Sequence, residues 1–356
     1  NTGQTGGVPD ADVDAPEAWD IDQGSSEIIV GVIDSGIDYN HPDLIDNMWT
    51  NPGEIPDNGV DDDANGYVDD YYGYNFNNDS SDPWDDFGHG THCAGIIAAS
   101  GDNGIGVAGV SWHTKVAALK WLDSNGSGQG FMAVEAILYS GMMGFDMSSN
   151  SWHYYEMESM RDAIEVANIL FVVAAANSES DLDLFPDYPA SYDLDNILVV
   201  AATDHNDQLA YFSNYGLTTV DVAAAGLDIF STFPPGACLD PSCCDNGDGY
   251  GYCSGTSMAC PQVAGIAALV LSRNSNLHWS EVKEIIMISS DPQPDLEGKC
   301  VTGARVNAYE ALKETGVPWL TLAEDSGIIS AGQNDDIQVT FNAMGVIGGD
   351  YSTNIV

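Results

Sequence analysis

The sequence predicts an α/β protein with a doubly wound, mainly parallel sheet and helices on both of its faces, and three observations carry this prediction. Continuous apolar runs of strand length recur along the chain, as buried parallel strands require. Segments with helical patterning lie between these runs. The 356 residues are 44% hydrophobic, which is enough for one large domain with a substantial core.

The apolar runs predict five strands of one sheet, at residues 28–33, 116–119, 169–173, 197–200 and 220–222. Helices are predicted between them, for example at residues 130–143 and 157–168. Ligands of such sheets bind beyond the carboxyl ends of the strands. The residues that directly follow the apolar runs are therefore the first candidates for function.

Two segments depart from this alternation. Residues 51–78 are rich in Asp, Asn, Gly and Tyr, and they predict an ordered acidic insertion that is neither a helix nor a core strand. Near residue 317 the pattern changes again, and residues 337–341 alternate with the period of a strand. We expect a main domain at residues 1–316 and, at residues 317–356, the truncated start of a β-rich extension.

The chain is strongly acidic, with 55 Asp and Glu against 8 Lys and Arg and a formal net charge of −47. Nucleic acid is excluded as a partner because phosphate binding needs clustered cations. No apolar stretch approaches the ~18 residues of a membrane span, so no membrane is expected. Such a charge indicates high solubility or adaptation to salty or calcium-containing water. We interpret the chain as the processed product of a secreted precursor.

Seven cysteines are present, and four of them crowd into one Gly- and Asp-rich stretch: Cys238, Cys243, Cys244 and Cys253. This crowding predicts at least one disulfide and an oxidising compartment. A zinc site is the alternative, although CxxC pairs are absent. Cys93 is predicted to be a buried free thiol because it lies in an apolar helical run.

Four polar residues meet the requirements of acyl transfer by a serine, which needs a base, a carboxylate that orients it, and donors for the oxyanion. Asp34 follows the first apolar run, His89 opens a helical run, and Asn177 ends the run that begins at residue 171. Ser257 enters a predicted helix, where its hydroxyl faces the positive end of the helix dipole. The nearby His92 is interpreted as structural.

Each of these residues alone has an ordinary alternative as a turn, a cap or a packed side chain. The tripeptide Asp-Ser-Gly also occurs in aspartic proteases, but it occurs once here, and that chemistry needs two carboxylates. The joint occurrence of all four residues therefore favours the catalytic interpretation.

The ordered motifs resemble those of the subtilisin-like serine proteases, or subtilases. They read Val-Ile-Asp-Ser-Gly at 32–36, Gly-His-Gly-Thr-His at 88–92 and Ser-Gly-Thr-Ser-Met-Ala at 254–259. The resemblance covers about residues 1–316. It implies a three-layer fold and a monomeric, secreted serine endopeptidase that cleaves proteins and matures from its own propeptide.

The resemblance also implies a substrate cleft in which a peptide lies as an extended strand between two backbone segments. The residues of these segments are Gly126, Ser127, Gly128, Ser151, Trp152 and His153. His153 and Ala176 stand where a glycine is usual, so we expect both to re-line the pocket for the residue before the scissile bond. His153 can also carry charge near neutral pH. Gly130 predicts an open pocket farther along the cleft.

Two calcium sites are predicted. The acidic insertion places oxygen side chains at alternate positions around a glycine, with Tyr72 where the closing carboxylate of an EF-hand would stand. We therefore expect a different geometry, with ligands among Asp61, Asp63, Asn65, Tyr67, Asp69 and Asp70. A solvated acidic loop is the alternative, but its carboxylates would repel one another. Asp43 and Asn103 match a second calcium site of the family.

Two other functions remain open. The chain could be a non-catalytic binding protein on a protease scaffold, although no candidate catalytic residue is lost. It could also be an esterase or amidase with the same nucleophile, although a cleft that pairs with a strand favours peptides.

Overall fold

The fold is known from a computed structural model that describes residues 6–236 and 247–315, and the backbone of two three-residue strands beyond them. A nine-stranded sheet forms its centre. The first seven strands are β1 (Ile29–Asp34), β2 (Gly73–Asn75), β3 (Lys115–Lys120), β4 (Met147–Asn150), β5 (Leu170–Ala174), β6 (Ile197–Thr203) and β7 (Val222–Ala225). A hairpin of β8 (Ile229–Thr232) and β9 (Tyr250–Cys253) lies outside this sheet.

The sheet is completed by β10 (Asp291–Pro292) and β11 (Ala304–Arg305). Its strand order is β10-β11-β7-β6-β5-β4-β1-β3-β2, and every pairing is parallel except that of β10 with β11. Near the C-terminus, β12 (Leu320–Leu322) pairs antiparallel with β13 (Val339–Phe341). The β-rich extension predicted at 317–356 otherwise lies outside the described residues.

Seven α-helices are present in the described part of the chain: α1 (Ala15–Trp19), α2 (His89–Ala98), α3 (Gly130–Met142), α4 (Glu158–Ala167), α5 (Thr256–Arg273), α6 (Trp279–Ile288) and α7 (Ala308–Glu314). Short 3₁₀ turns occur at Ile45–Asn47 and Pro294–Leu296. None of the helices described is long and apolar enough to cross a membrane.

The helices cover both faces of the sheet, which gives the three layers that were predicted. One hydrophobic cluster joins one face of the sheet to α2 and α5, and the other joins the opposite face to α3 and α4. Strand side chains alternate between the two clusters: Val172 belongs to the first, and its neighbours Phe171 and Val173 belong to the second. The predicted α/β fold class is confirmed.

Four strands of the central sheet, β2, β4, β10 and β11, and the separate pair β8 and β9 escaped the sequence analysis. The central strand β4 is largely polar, yet Ser148, Ser149 and Asn150 are all fully buried. The end of the acidic insertion forms β2, which pairs with β3 at the edge of the sheet. The prediction that this insertion contains no strand was therefore wrong at its last residues, where Tyr74 packs into the core.

Candidate active site

Asp34 and His89 meet at the carboxyl edge of the sheet. Asp34 is the last residue of β1 and His89 the first residue of α2, and His89 Nδ1 lies 2.8 and 2.9 Å from the two carboxylate oxygens. The Asp34 side chain is 1% exposed and the His89 side chain 15%. The carboxylate is thus shielded from water, and the imidazole remains reachable.

Close backbone approach makes this contact possible. A Cβ atom at Gly90 would lie 2.2 Å from the carbonyl oxygen of Gly36, so only glycine lets α2 begin against the turn after β1. The Gly90 N–H donates to Ser35 Oγ at 2.9 Å, and the Ser35 N–H donates to Asp34 Oδ1 at 2.7 Å. Ser35 therefore ties the carboxylate to the helix that carries the imidazole.

Asp85 anchors the same helix, and the sequence analysis did not identify it. Its fully buried carboxylate accepts five hydrogen bonds, from Ser35 Oγ, the N–H groups of Phe87 and Gly88, and both the N–H and Oγ of Thr91. Burial raises the pKa of Asp85, and these donors oppose the rise. Its position in Asp-Asp-Phe-Gly-His, just before the helix, is the signal that could have identified it.

Ser257 lies in the first turn of α5 and is partly exposed. Its hydroxyl donates to the carbonyl of Ser151 at 3.2 Å. The Ser257 carbonyl accepts from Ser151 Oγ at 2.9 Å and from the Cys93 thiol at 3.5 Å, and that sulfur lies 3.9 Å from His89 Nδ1. Cys93 thus lies between the imidazole and the serine backbone.

Asn177 is held next to Ser257 by a bidentate contact. Its side-chain oxygen accepts from the N–H of Thr256 at 2.9 Å and from the Thr256 hydroxyl at 3.0 Å. Both contacts use the oxygen, so the exposed Nδ2 group is left to donate. The preceding residue, Ala176, has a φ of 72°, a left-handed conformation that favours the glycine expected at this position.

The pKa values of two neighbouring histidines, His89 and His92, are shifted in opposite directions. Burial alone would lower the pKa of His89, but the Asp34 carboxylate outweighs it and raises this pKa well above its ordinary value. Burial lowers the pKa of His92 to about 4, and its Nε2 faces the carbonyls of Ile229 and Gly251. His92 is fully buried, as its structural interpretation predicted.

A groove of about 330 Å³ adjoins His89 and contains six of the seven predicted substrate-binding residues. Its lining consists of His89, Phe87, Trp121, Leu122, Gly126, Ser127, Gly128, Ser151, Trp152, His153 and Tyr154. Ala176, the seventh, is buried and is not among the residues that line it. A larger cleft of about 570 Å³ lies around Lys283 and Asp221, away from these groups.

The space beside Gly130 is filled. A Cβ atom there would lie 2.3 Å from Met157 Sδ and 2.6 Å from Tyr154 Cε1. The pocket expected from this glycine is therefore occupied by side chains of the chain itself.

His153 pairs with Asp187, with 3.3 Å between His153 Nδ1 and Asp187 Oδ1. The hydrogen bond to Asp187 raises the pKa of His153, while burial opposes the rise. The sequence analysis identified the histidine but not its carboxylate partner.

The acidic insertion gathers three carboxylates at one point. Oxygens of Glu54, Asp63 and Asp70 lie within 4.8 Å of one another, and Glu54 and Asp70 are buried. Glu54 Oε2 is buried and has no hydrogen-bond partner among the described residues. An orphaned carboxylate oxygen beside two more carboxylates fits a hard cation such as calcium.

The predicted ligands of the insertion divide into two groups. Asn65 joins the cluster through its Nδ2, which donates to Asp63 Oδ2 and Asp70 Oδ2. Asp61 and Asp69 instead accept backbone N–H groups of their own turns, at Asn65, Gly66, Asn58 and Gly59. The ring of Tyr67 packs on Tyr74, Phe76 and Tyr139. Glu54 was missed because it precedes the alternating motif.

The second predicted metal site is satisfied by hydrogen bonds. Asp43 is fully buried and accepts from Asn103 Nδ2 at 2.6 Å, the Val107 N–H at 2.9 Å and the Tyr250 hydroxyl at 2.8 Å. The structure brings Asp43 and Asn103 together, but with the amide N–H₂ facing the carboxylate. These residues do not fit a cation in this arrangement, because a donor faces each oxygen of the single carboxylate, whereas Glu54 Oε2 in the insertion has none in the described part of the chain.

Cys93 is a buried free thiol, as predicted, and burial raises its pKa. Cys260 and Cys300 are also buried free thiols. The predicted bridge remains a prediction, since Cys238, Cys243 and Cys244 lie outside the described residues.

The fold and this site together define a class of protein. Its members are doubly wound α/β proteins with a carboxylate, an imidazole and a serine hydroxyl at one edge of the sheet, and these groups follow the chain order Asp, His, Ser. Residues 25–317 match the subtilase family. The chain belongs to this family, which confirms the resemblance in its sequence motifs.

Three similar proteins illustrate the relationship. The chain is 36% identical to the thermophilic serine proteinase of Bacillus sp. (strain AK1) over 299 residues, which are 83% of this chain and 64% of that protein. It is 38% identical to subtilisin-like protease 1 of Plasmodium vivax over 308 residues, 79% of this chain and 46% of that protein. The matched region thus spans 46% to 64% of the length of these relatives.

A solved protease structure from Pseudoalteromonas arctica PAMC 21717 superimposes on this chain with a TM-score of 0.64 and 27% sequence identity. The superposition covers 85% of this chain and 94% of that protease chain.

Proposed function

We propose that this protein is a secreted serine endopeptidase that cleaves protein substrates through an acyl-enzyme intermediate and is stabilised by calcium. The main support is the Asp34–His89 contact at the sheet edge that also carries Ser257 and Asn177. Membership of the subtilase family supports the same conclusion.

In the proposed reaction, the Ser257 hydroxyl turns from the Ser151 carbonyl toward Nε2 of His89, the ring nitrogen that does not face Asp34. The oxygen attacks the substrate carbonyl carbon as His89 takes its proton, and His89 then gives the proton to the leaving amine when the C–N bond breaks. Water hydrolyses the ester by the same proton transfers. Asn177 Nδ2 donates to the oxyanion in both steps.

The base must be neutral to accept a proton. Because the pKa of His89 is raised, its imidazole stays protonated to higher pH than an ordinary histidine. Hydrolysis should therefore fall as the pH falls through this raised pKa and be fastest on the alkaline side.

The proposed substrate is an extended peptide that lies in the groove between residues 126–128 and 151–153. Aromatic side chains of the groove would contact the substrate side chain next to the scissile bond. We further propose that the protein acts as a monomer and that its own propeptide is removed during maturation.

Glu54, Asp63 and Asp70 would hold calcium through their carboxylate oxygens. The cation would neutralise carboxylates that otherwise repel one another and would add its binding free energy to the stability of the folded state. An extracellular location fits this role, because the calcium sites of extracellular modules typically have low affinity.

The test is digestion of an unfolded protein by the purified chain and by three variants. Ser257→Ala should abolish hydrolysis while the protein stays folded, and Asn177→Ala should lower kcat by ~10²–10³, as expected for one oxyanion donor. Ser254→Ala is the matched control, because this exposed serine lies in the same motif and hydrogen-bonds Asp228 instead.

Undiminished turnover by Ser257→Ala would refute the assignment of the nucleophile. Absence of any hydrolysis by the wild type would favour a binding protein on this scaffold, and cleavage of esters without peptides would favour an esterase.

A further inference from the structure

Apart from His89, the residues that line the groove include one side chain that can carry charge near neutral pH, His153, which is paired with Asp187 from outside the lining. His153 lies two residues after Ser151, whose carbonyl accepts the Ser257 hydroxyl, and it lines the groove that His89 also lines. Asp187 reaches His153 from the loop before Tyr188, with its side chain 22% exposed against 67% for His153.

We propose that the His153–Asp187 pair selects the charge of the substrate side chain that enters this groove beside the scissile bond. The inference rests on the proposed peptidase function. With a proton on His153 the pair is neutral, and the groove favours uncharged side chains. Without that proton the Asp187 carboxylate is uncompensated, and the groove favours Lys or Arg.

The rest of the groove suits both kinds of side chain. Phe87 and Tyr154 are half-buried and present aromatic surface, and the buried rings of Trp121 and Trp152 also belong to the lining. Apolar side chains pack on such surface, and so do the methylene stems of Lys and Arg, whose charged ends reach toward polar groups. The aromatic wall therefore supplies binding without charge preference, and the pair supplies the preference.

The groups around His153 are mainly acidic. Asp187 contacts it directly, and Glu156 adds negative charge beside Tyr188. His89 lines the same groove and is the other basic side chain in its lining. The hydrogen bond to Asp187 holds the pKa of His153 above its usual value, so the proton is present below this raised pKa and lost as the pH rises through it.

The test compares two fluorogenic peptide amides that differ only in the residue before the leaving group, lysine or methionine, between pH 6 and 9. The readout is the ratio of kcat/KM for lysine over methionine. Both peptides are cleaved through the same His89, so its ionisation cancels in the ratio. The lysine substrate keeps its charge throughout this range.

For the wild type we expect the ratio to rise about 3- to 10-fold with pH, the size of effect of one nearby charge. His153→Gln should show the high ratio at every pH, and Asp187→Asn the low one. Glu165→Gln, which removes one exposed negative charge from α4 outside the groove, is the matched control and should follow the wild type.

A ratio that stays flat in an active wild type overturns the inference alone. A ratio that still rises in Asp187→Asn also overturns it. If neither peptide is cleaved at any pH, the proposed function fails and this inference fails with it.

Discussion

The two predicted calcium sites differ in how many carboxylates meet and in whether each carboxylate oxygen has a hydrogen-bond donor. In the insertion, three carboxylates meet within 4.8 Å, and Glu54 Oε2 is buried without a hydrogen-bond donor among the described residues. At the other site, Asp43 stands alone and receives three donors. Residue types alone predicted both sites equally well. The meeting of three carboxylates around one buried oxygen that lacks a donor in the described structure is what separates them.

The difference has a simple electrostatic meaning. Buried carboxylates that share a site without enough donors must either bind protons or attract a cation. A carboxylate whose oxygens are all hydrogen-bonded has no such need, because the donors replace its water. We therefore expect calcium dependence in the insertion and none around Asp43.

The largest expected effect is the loss of calcium from the insertion. A site saturated at about 1,000 times its Kd contributes about 4 kcal/mol to the free energy of unfolding, and a chelator should remove this. Glu54→Gln should abolish most of the response, since it removes the orphaned oxygen's charge. Thermal unfolding of the inactive Ser257→Ala protein, with and without chelator, measures both without self-cleavage.

Asp69→Asn is the matched control for this experiment. Asp69 belongs to the sequence motif, but its carboxylate accepts the N–H groups of Asn58 and Gly59. The variant should keep the wild-type response to calcium. Loss of the response in Asp69→Asn but not in Glu54→Gln would restore the ligand set expected from the motif.

Asp85→Asn extends the comparison to a carboxylate with five donors. The amide keeps the shape but turns an N–H₂ group toward N–H and O–H donors, so the free energy of unfolding should fall by about 2–4 kcal/mol. Denaturant unfolding should show the same loss with calcium and with chelator. A loss that calcium reverses would mean that donor number does not decide which carboxylates need a cation.

Tyr250→Phe tests the Asp43 site with a smaller change. It removes one hydrogen bond to a buried carboxylate, which is worth about 1.5–3 kcal/mol. Tyr252→Phe on the same strand is the control, because that ring is 53% exposed and surface changes stay within about 0.5 kcal/mol. If calcium restores the stability of Tyr250→Phe, then the tyrosine hydroxyl stands in for a cation, and the two sites are more alike than their donors indicate.

The sheet was largely predictable because most of its strands are continuous apolar runs. Of the strands that were missed, β4 shows the limit of that signal most clearly. Its Asn150 is buried, and Nδ2 donates to the carbonyl of Val172 and to Ser148 Oγ. These partners lie on the neighbouring strand and within β4 itself. A polar strand of this kind cannot be recognised from hydrophobicity alone.

The candidate active site was predictable where one short motif carries each group, as at Asp34, His89 and Ser257. Contacts between residues far apart in sequence were missed. Asp85, which binds Ser35 50 positions away, was not identified, and Asp43 was identified without its partner Tyr250, 207 positions away. Such pairings arise from tertiary packing, so no local sequence pattern predicts them.

The clamp of Asn177 on Thr256 has a consequence for how this protein can change over evolution. Thr256 directly precedes Ser257, the proposed nucleophile, so a small shift of α5 would carry the Ser257 hydroxyl and the proposed oxyanion donor Asn177 together and preserve their spacing. Substrate loops and surface charge can then diversify while Ser257 and Asn177 keep their positions relative to each other. Adaptation to new temperatures or salinities then need not change the distance between these two groups, on which the proposed catalysis depends.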